Sequence, residues 1–177
     1  MTDPIDEFWL PSMSEYEGKP FKSITKGAID LSKFDIQKDK DSKSKKPATK
    51  KDIDNLISEM KNHLGDKVKD IKSSQMLTDS PVCLTADEAD MDIHLEKLMR
   101  QHKRVENESK KILELNGNHN LIKTLSKLVS NSGDKELVSD VSHLLLDQAR
   151  IVEGEMPLDT KSFTEKLSSI MTKGLVS

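Results

Sequence analysis

Apolar residues return every three or four positions through the last third of this chain. From Asp134 to Met171 they write two amphipathic helices. The first carries Leu137, Val138, Val141, Leu144, Leu145 and Val152; the second carries Phe163, Leu167, Ile170 and Met171. Gly154 and Pro157 stop the first helix. Asp159 fits the N-cap of the second, because its carboxylate can accept from the free N–H groups of a first helical turn. Leu158 and Phe163 flank that cap at the spacing of a hydrophobic staple. Asp134 caps the earlier helix, after Ser132-Gly133 has broken the chain. The result is an antiparallel helical hairpin. Such a hairpin either packs on its own chain or meets a second copy of itself. The chain before it is mostly polar, so a second copy is the expectation. Val141, Leu144, Leu145, Phe163, Leu167, Ile170 and Met171 are the expected dimer-interface residues.

Upstream the periodicity switches between helix and strand. Ile53, Leu56, Ile57, Met60 and Leu64 mark a helix closed by Gly65. Val68 and Ile71 suggest a strand, with Lys67, Lys69 and Lys72 on its other side. Asp79-Ser80-Pro81 is a turn, and Val82-Cys83-Leu84 a short buried strand. Met91, Leu95, Leu98 and Met99 form a narrow apolar stripe among charged residues, which on spacing alone reads as a core face. Ile112 to Leu115 is a third strand and Asn116-Gly117-Asn118 a turn; Leu121, Ile122, Leu125, Leu128 and Val129 mark another helix. The order helix, strand, strand, helix, strand, helix, helix, helix predicts an α+β fold: a small mixed sheet covered by helices, then the hairpin.

The first third is different. Asp3-Pro4 with Ile5, Phe8, Trp9 and Leu10 reads as a short helix with proline in its first turn, ended or kinked by Pro11. Glu17-Gly18-Lys19 reads as a turn, and Phe21 to Thr25 alternates like a strand. A lone strand cannot satisfy its own edges, so residues 1–34 read as a piece of a larger domain. Residues 35–51 are low in complexity and rich in lysine. They read as a solvated linker or the polar start of a helix, rather than a nucleic-acid patch, because no aromatic residue interrupts the lysines. Residues 52–177 then form the folded unit.

Composition narrows the function classes. The 177 residues are 34% apolar and 33% charged, enough for a modest core. Aromatic residues make up only 3%, which argues against a stacking surface for single strands, and a net charge of -3 gives no field to draw in a polyanion. The lone cysteine, Cys83, excludes an internal disulfide and reads as a packed apolar residue in a reducing compartment. No apolar run reaches membrane-spanning length and the N-terminus has no leader pattern, so a cytoplasmic protein without membrane contact is expected.

The residues of chemistry do not converge. The histidines at 63, 94, 102, 119 and 143 lack companions at metal-ligand spacing. Cys83 lacks an activating neighbour. Asp87, Glu88, Asp90 and Asp92 could hold a cation, but read better as acidic residues enriching a helix start. There is no glycine-rich phosphate loop. The expectation is a binding module with no catalytic residue, metal or cofactor.

Several stretches together resemble the heat-shock protein 90 chaperones. Ile5-Asp6-Glu7-Phe8, Glu15-Tyr16-Glu17-Gly18-Lys19 and Ser23-Ile24-Thr25-Lys26 are similar to the end of that family's middle domain. Leu77-Thr78-Asp79-Ser80-Pro81, Ala86-Asp87-Glu88, Glu114-Leu115-Asn116 with His119, and Leu144-Leu145-Leu146-Asp147-Gln148-Ala149 are similar to its C-terminal domain. The chain ends in Leu175-Val176-Ser177, without the acidic tail of eukaryotic cytosolic members, so it resembles the bacterial branch. The resemblance implies a middle-domain remnant over residues 1–34 and a dimerisation domain over 52–177. The family's ATP site and the middle-domain arginine that completes it lie outside the matching region, so ATP is a cofactor of the full-length family alone. The resemblance also implies a homodimer through the last two helices. It turns the Met91, Leu95, Leu98 and Met99 stripe from core into a contact surface for unfolded client proteins, with Glu7 and Phe8 on its middle-domain side. Flexible methionine and leucine side chains suit loose recognition. Two alternatives stand beside this: an adaptor or dominant-negative partner of a longer chaperone, and a nucleic-acid binder using the lysine-rich stretch.

Overall fold

The computed structural model describes residue 13 and residues 15–21, 49–74, 76–87, 89–91, 93–101, 109–131 and 133–176. The helix expected before Pro11, most of the strand expected from Phe21, and nearly all of the lysine-rich stretch lie outside these residues. Strands β1 (Glu15–Tyr16) and β2 (Lys19–Pro20) pair antiparallel around Glu17-Gly18. Both turn residues have positive φ, 51° and 74°, as a two-residue hairpin turn that follows the strand twist requires. Phe21 falls outside the ladder.

The folded unit begins at Thr49. Its hydroxyl accepts the Asp52 N–H at 3.4 Å and starts α1 (Lys50–Leu64), so Lys50 and Lys51 belong to the helix rather than to a linker. Ile53, Leu56, Met60 and Leu64 are buried along one face of α1. A 3₁₀ turn at Gly65–Lys67 leads to β3 (Asp70–Ser74). Then come β4 (Val82–Thr85), α2 (Ile93–Gln101), β5 (Ile112–Asn116), α3 (Asn120–Ser130), α4 (Lys135–Val152) and α5 (Thr160–Val176). This is the expected α+β order. The sheet is mixed, in order β3-β5-β4, with β3 parallel and β4 antiparallel to β5.

All five residues of β5 are buried, because it is the central strand with helices over the sheet. Helix α1 packs on β3, α3 and α4, and α4 packs on β4. Leu56, Met60, Ile71, Leu113, Leu115, Ile122 and Leu145 fill the centre. Each is worth ~1.5–3 kcal/mol of gross transfer energy.

Two of the motifs that carried the resemblance meet at the end of β5. Asn116 is 1% exposed, and its Nδ2 donates to the carbonyls of Thr78 and Ser80, both at 3.0 Å. Its Oδ1 accepts the Asn118 N–H at 3.0 Å. The buried amide thus staples the Thr78–Ser80 turn to the central strand, and its polar atoms are satisfied there. His119 Nδ1 accepts the Leu121 N–H at 3.2 Å and caps α3. Leu121 itself is 41% exposed and lies off the buried face expected for it.

Asp134 caps α4 by accepting from the Glu136 and Leu137 N–H groups at 3.0 and 3.1 Å. Asp159 does the same for α5, accepting from Lys161 and Ser162, both at 3.0 Å. Helix α5 lies along α4. Lys166 pairs with Asp140 at 2.7 Å and Lys173 with Asp134 at 4.0 Å, so later residues of α5 meet earlier residues of α4.

Candidate interaction surfaces

Helix α2 attaches to the protein by one face and presents the other. Among the described residues no helix or strand runs alongside it; side chains hold it. Ile93 is 3% exposed and enters the core. Glu96, one turn on, is buried against Lys111, with which it forms an ion pair. Glu96 also accepts from the Ser109 N–H and hydroxyl, both at 2.6 Å. Burial pushes the Glu96 carboxyl up, but the bonds from Lys111 and Ser109 outweigh it and hold the group below its usual range. Lys97 Nζ donates to the Glu153 carbonyl at 2.9 Å, beyond the end of α4.

Ile93, Glu96 and Lys97 share one side of the helix by their i, i+3, i+4 spacing. Leu95, Leu98 and Met99 fall on the opposite side, and Met91 lies two residues before the helix. All four are half-buried and none belongs to the buried core. The spacing of apolar residues alone did not mark Ile93 and the Glu96–Lys111 ion pair as anchors of this helix. Glu7 and Phe8 lie outside the described residues.

The residues expected at a dimer interface divide between two environments. Leu145 is 2% exposed and belongs to the chain's own core, out of reach of a second molecule. Val141 is half-buried against that core. Leu144, Phe163 and Ile170 are half-buried. Leu167 and Met171 are 39% and 58% exposed. Leu175, 86% exposed, continues their row by a further four residues. Ile151, seven residues after Leu144, is also exposed, as are Val152, Met156 and Leu158 around the turn. Ile151, Met156 and Leu175 were not marked by sequence. The signal for Ile151 and Leu175 was the i+7 and i+4 continuation of the two stripes beyond Leu144 and Met171; Met156, in the turn, had none.

No group of three or more His, Cys, Asp or Glu residues that could hold a metal occurs among the described residues. Cys83 is half-buried, and burial, with the charges of Glu114 and Glu153, pushes its thiol up to about 12. Such a thiol is a poor nucleophile at neutral pH. Lys69 pairs with Asp87 at 2.9 Å and Asp90 at 2.8 Å, so these two carboxylates close an ion-pair cluster as well as preceding α2. A cleft of about 460 Å³ separates α2 from the turn after α4, lined by Lys97, Arg100, Arg150, Gly154, Glu155 and Met156. No helix among the described residues is long and apolar enough to cross a membrane.

Comparison with known proteins accounts for the whole chain. The family model described as Hsp90 protein matches residues 1–177. The Chaperone protein HtpG of Roseobacter denitrificans is 44% identical over 177 residues, covering 99% of this chain and 28% of that protein. The protein of the same name from Paramagnetospirillum magneticum is 42% identical over 176 residues, again 99% of this chain and 28% of the relative. That of the Wolbachia of Brugia malayi is 38% identical over 175 residues, 98% of this chain and 28% of the relative. The chain therefore spans 28% of the length of these relatives. It belongs to the Hsp90 family.

Proposed function

We propose that this Hsp90-family chain is the dimerisation and client-contact part of a molecular chaperone. Two copies join through α4 and α5, and Met91 with the Leu95, Leu98 and Met99 face of α2 receives apolar segments of unfolded proteins. One observation carries the dimer. Leu167, Met171 and Leu175 form an i+4 row on α5 whose exposure rises from 39% to 86% along the helix. A two-fold axis would set this row, with Leu144 and Ile151, against its own copy. Part of the gain from burying it is spent on the loss of freedom on association, so the affinity is set by how well the row packs.

The opposed faces of α2 support the client reading. The anchored side carries Ile93, Glu96 and Lys97, and the half-buried methionine and leucine side lies outside the core cluster. In this reading the chain acts in the cytoplasm, and residues 1–177 contact other chains and clients rather than a nucleotide. Sedimentation velocity of the purified chain tests the dimer directly. A species of twice the monomer mass is expected at micromolar concentration; a monomer persisting at 100-fold higher concentration overturns it.

A second reading follows from the same surface. An isologous interface accepts any chain bearing the same two helices, so this chain would also pair with longer family members. Capture of a tagged full-length relative by this chain, lost together with its own dimer on substituting α5, is the expected outcome.

A further inference from the structure

Ile93, Glu96 and Lys97 fasten α2, and Lys97 joins it to a different part of the molecule from the other two. Ile93 and the Glu96 to Lys111 pair tie it to the core and the approach to β5. Lys97 Nζ instead reaches the turn between α4 and α5, at 2.9 Å from the Glu153 carbonyl and 3.5 Å from that of Gly154. Carbonyls at a helix C-terminus lack partners within the helix and form its negative end. An ammonium placed there both satisfies them and complements the helix dipole.

The turn is shaped to admit it. Gly154 has φ +74°, and a Cβ at this position would lie 2.8 Å from Lys97 Nζ. Glycine adopts this left-handed conformation without strain, and its missing Cβ leaves the ammonium room to approach. Around this point the turn is held by its own chain. Gly154 N–H donates to Ile151 O and Glu155 N–H to Arg150 O, both at 2.9 Å. Arg150 Nε donates to Met156 O at 2.9 Å. Lys97 reaches the same turn from α2, across 56 positions of sequence from Glu153.

We propose that Lys97 is a positioning residue that clamps α2 to the α4–α5 turn, so that the client-facing stripe and the dimerising pair are held as one unit. The clamp makes the seat of α2 depend on the C-terminal end of α4, and the stability of that turn depend on α2. The proposal rests on the reading of α2 as the client surface.

Hydrogen exchange on the full chain tests the clamp without a client. Lys97→Met keeps the aliphatic stem and removes the donor. Amides of α2 and of Gly154 and Glu155 are expected to exchange at least tenfold faster, while those of α1 and α3 are unchanged. Lys97→Arg, which can still donate to both carbonyls, is expected to restore protection; a purely space-filling role would not distinguish Arg from Met in this way. Unchanged exchange at either place in Lys97→Met, or loss spread evenly over α1 and α3, overturns the proposal. Binding of reduced, carboxymethylated α-lactalbumin, a permanently unfolded protein, is then expected to weaken severalfold in Lys97→Met and recover in Lys97→Arg. Equal binding by the wild type and Lys97→Met would overturn the link to client contact. A wild type that fails to bind it defeats the client reading, and the exchange result still decides the clamp.

Discussion

The Asp147 carboxylate accepts the backbone N–H of Leu158 at 3.0 Å, closing the turn between α4 and α5 from the inside. Asp147 is only 7% exposed, so this hydrogen bond to a charged group is shielded from water. It explains why an aspartate follows three leucines in the Leu144 to Ala149 run. Asp147→Ala is expected to lower stability by about 1–3 kcal/mol, the range for leaving a partner of a charged hydrogen bond unmatched. Urea unfolding monitored by circular dichroism measures this, and an unchanged midpoint would refute it.

Neighbouring leucines should behave in opposite ways. Leu145→Ala removes core atoms and is expected to cost about 2–5 kcal/mol of folding stability. Leu167→Asp with Met171→Asp alters exposed positions, so the monomer should keep its helical spectrum while the dimer dissociates. Sedimentation velocity beside thermal unfolding separates the two outcomes. A double variant that remains dimeric would remove α5 from the interface.

Met91→Ser with Leu95→Ser addresses the client face. Neither residue belongs to the core, so the dimer and the melting temperature should change little. Suppression of aggregation of a heat-denatured reporter protein should weaken severalfold. If suppression is retained at the same molar ratio, the stripe has another role.

Acid should loosen the molecule in two steps. Burial lowers the pKa of His143, helped by Lys67 and Lys166 and opposed by Ser139 O and Asp147. The unfolded imidazole therefore binds a proton at about 6.5 while the folded one resists, so stability falls as pH drops below that value. Glu96 is also held below its usual value of 4.5, so the stability it gives is present above that pH and lost as pH falls through its lower folded value. Denaturant midpoints measured from pH 8 to 3 should fall first below 6.5, then again below 4.5. His143→Gln should remove the first fall. Glu96→Gln should reduce the second, which Asp52 and Asp70, also held below their usual range by Thr49 with Ser130 and by Lys61, share, and should lower stability at neutral pH, by about 3–5 kcal/mol if Lys111 is left buried without its partner.

Much of the fold was written in apolar spacing and turn chemistry. Asp134 and Asp159 cap the helices they were expected to cap, and Gly65 ends α1, because caps act within a single turn. The sheet order was not legible, since strand pairing joins residues far apart in sequence: Ile71 to Leu113 in β3 and β5, Leu84 to Leu113 in β4 and β5. The site was half legible. The α5 stripe marked exposed Leu167 and Met171 beside half-buried Phe163 and Ile170, and the α4 stripe mixed Leu145, which faces the core, with Leu144, which is half-buried beside it. Two buried faces on one helix cannot be assigned by periodicity alone. The anchors of α2 escaped notice because a glutamate and a lysine, 15 residues apart, looked like solvated charges until they met.

The central position of β5 bears on how the chain is made. Residues 70–74 and 82–85 emerge from the ribosome well before residues 112–116, yet neither earlier strand is the other's neighbour. Both must wait for a late arrival to slide between them. A nascent chain halted before Ile112 therefore carries two unsatisfied edges, and cotranslational folding of this unit is gated by a single five-residue insertion.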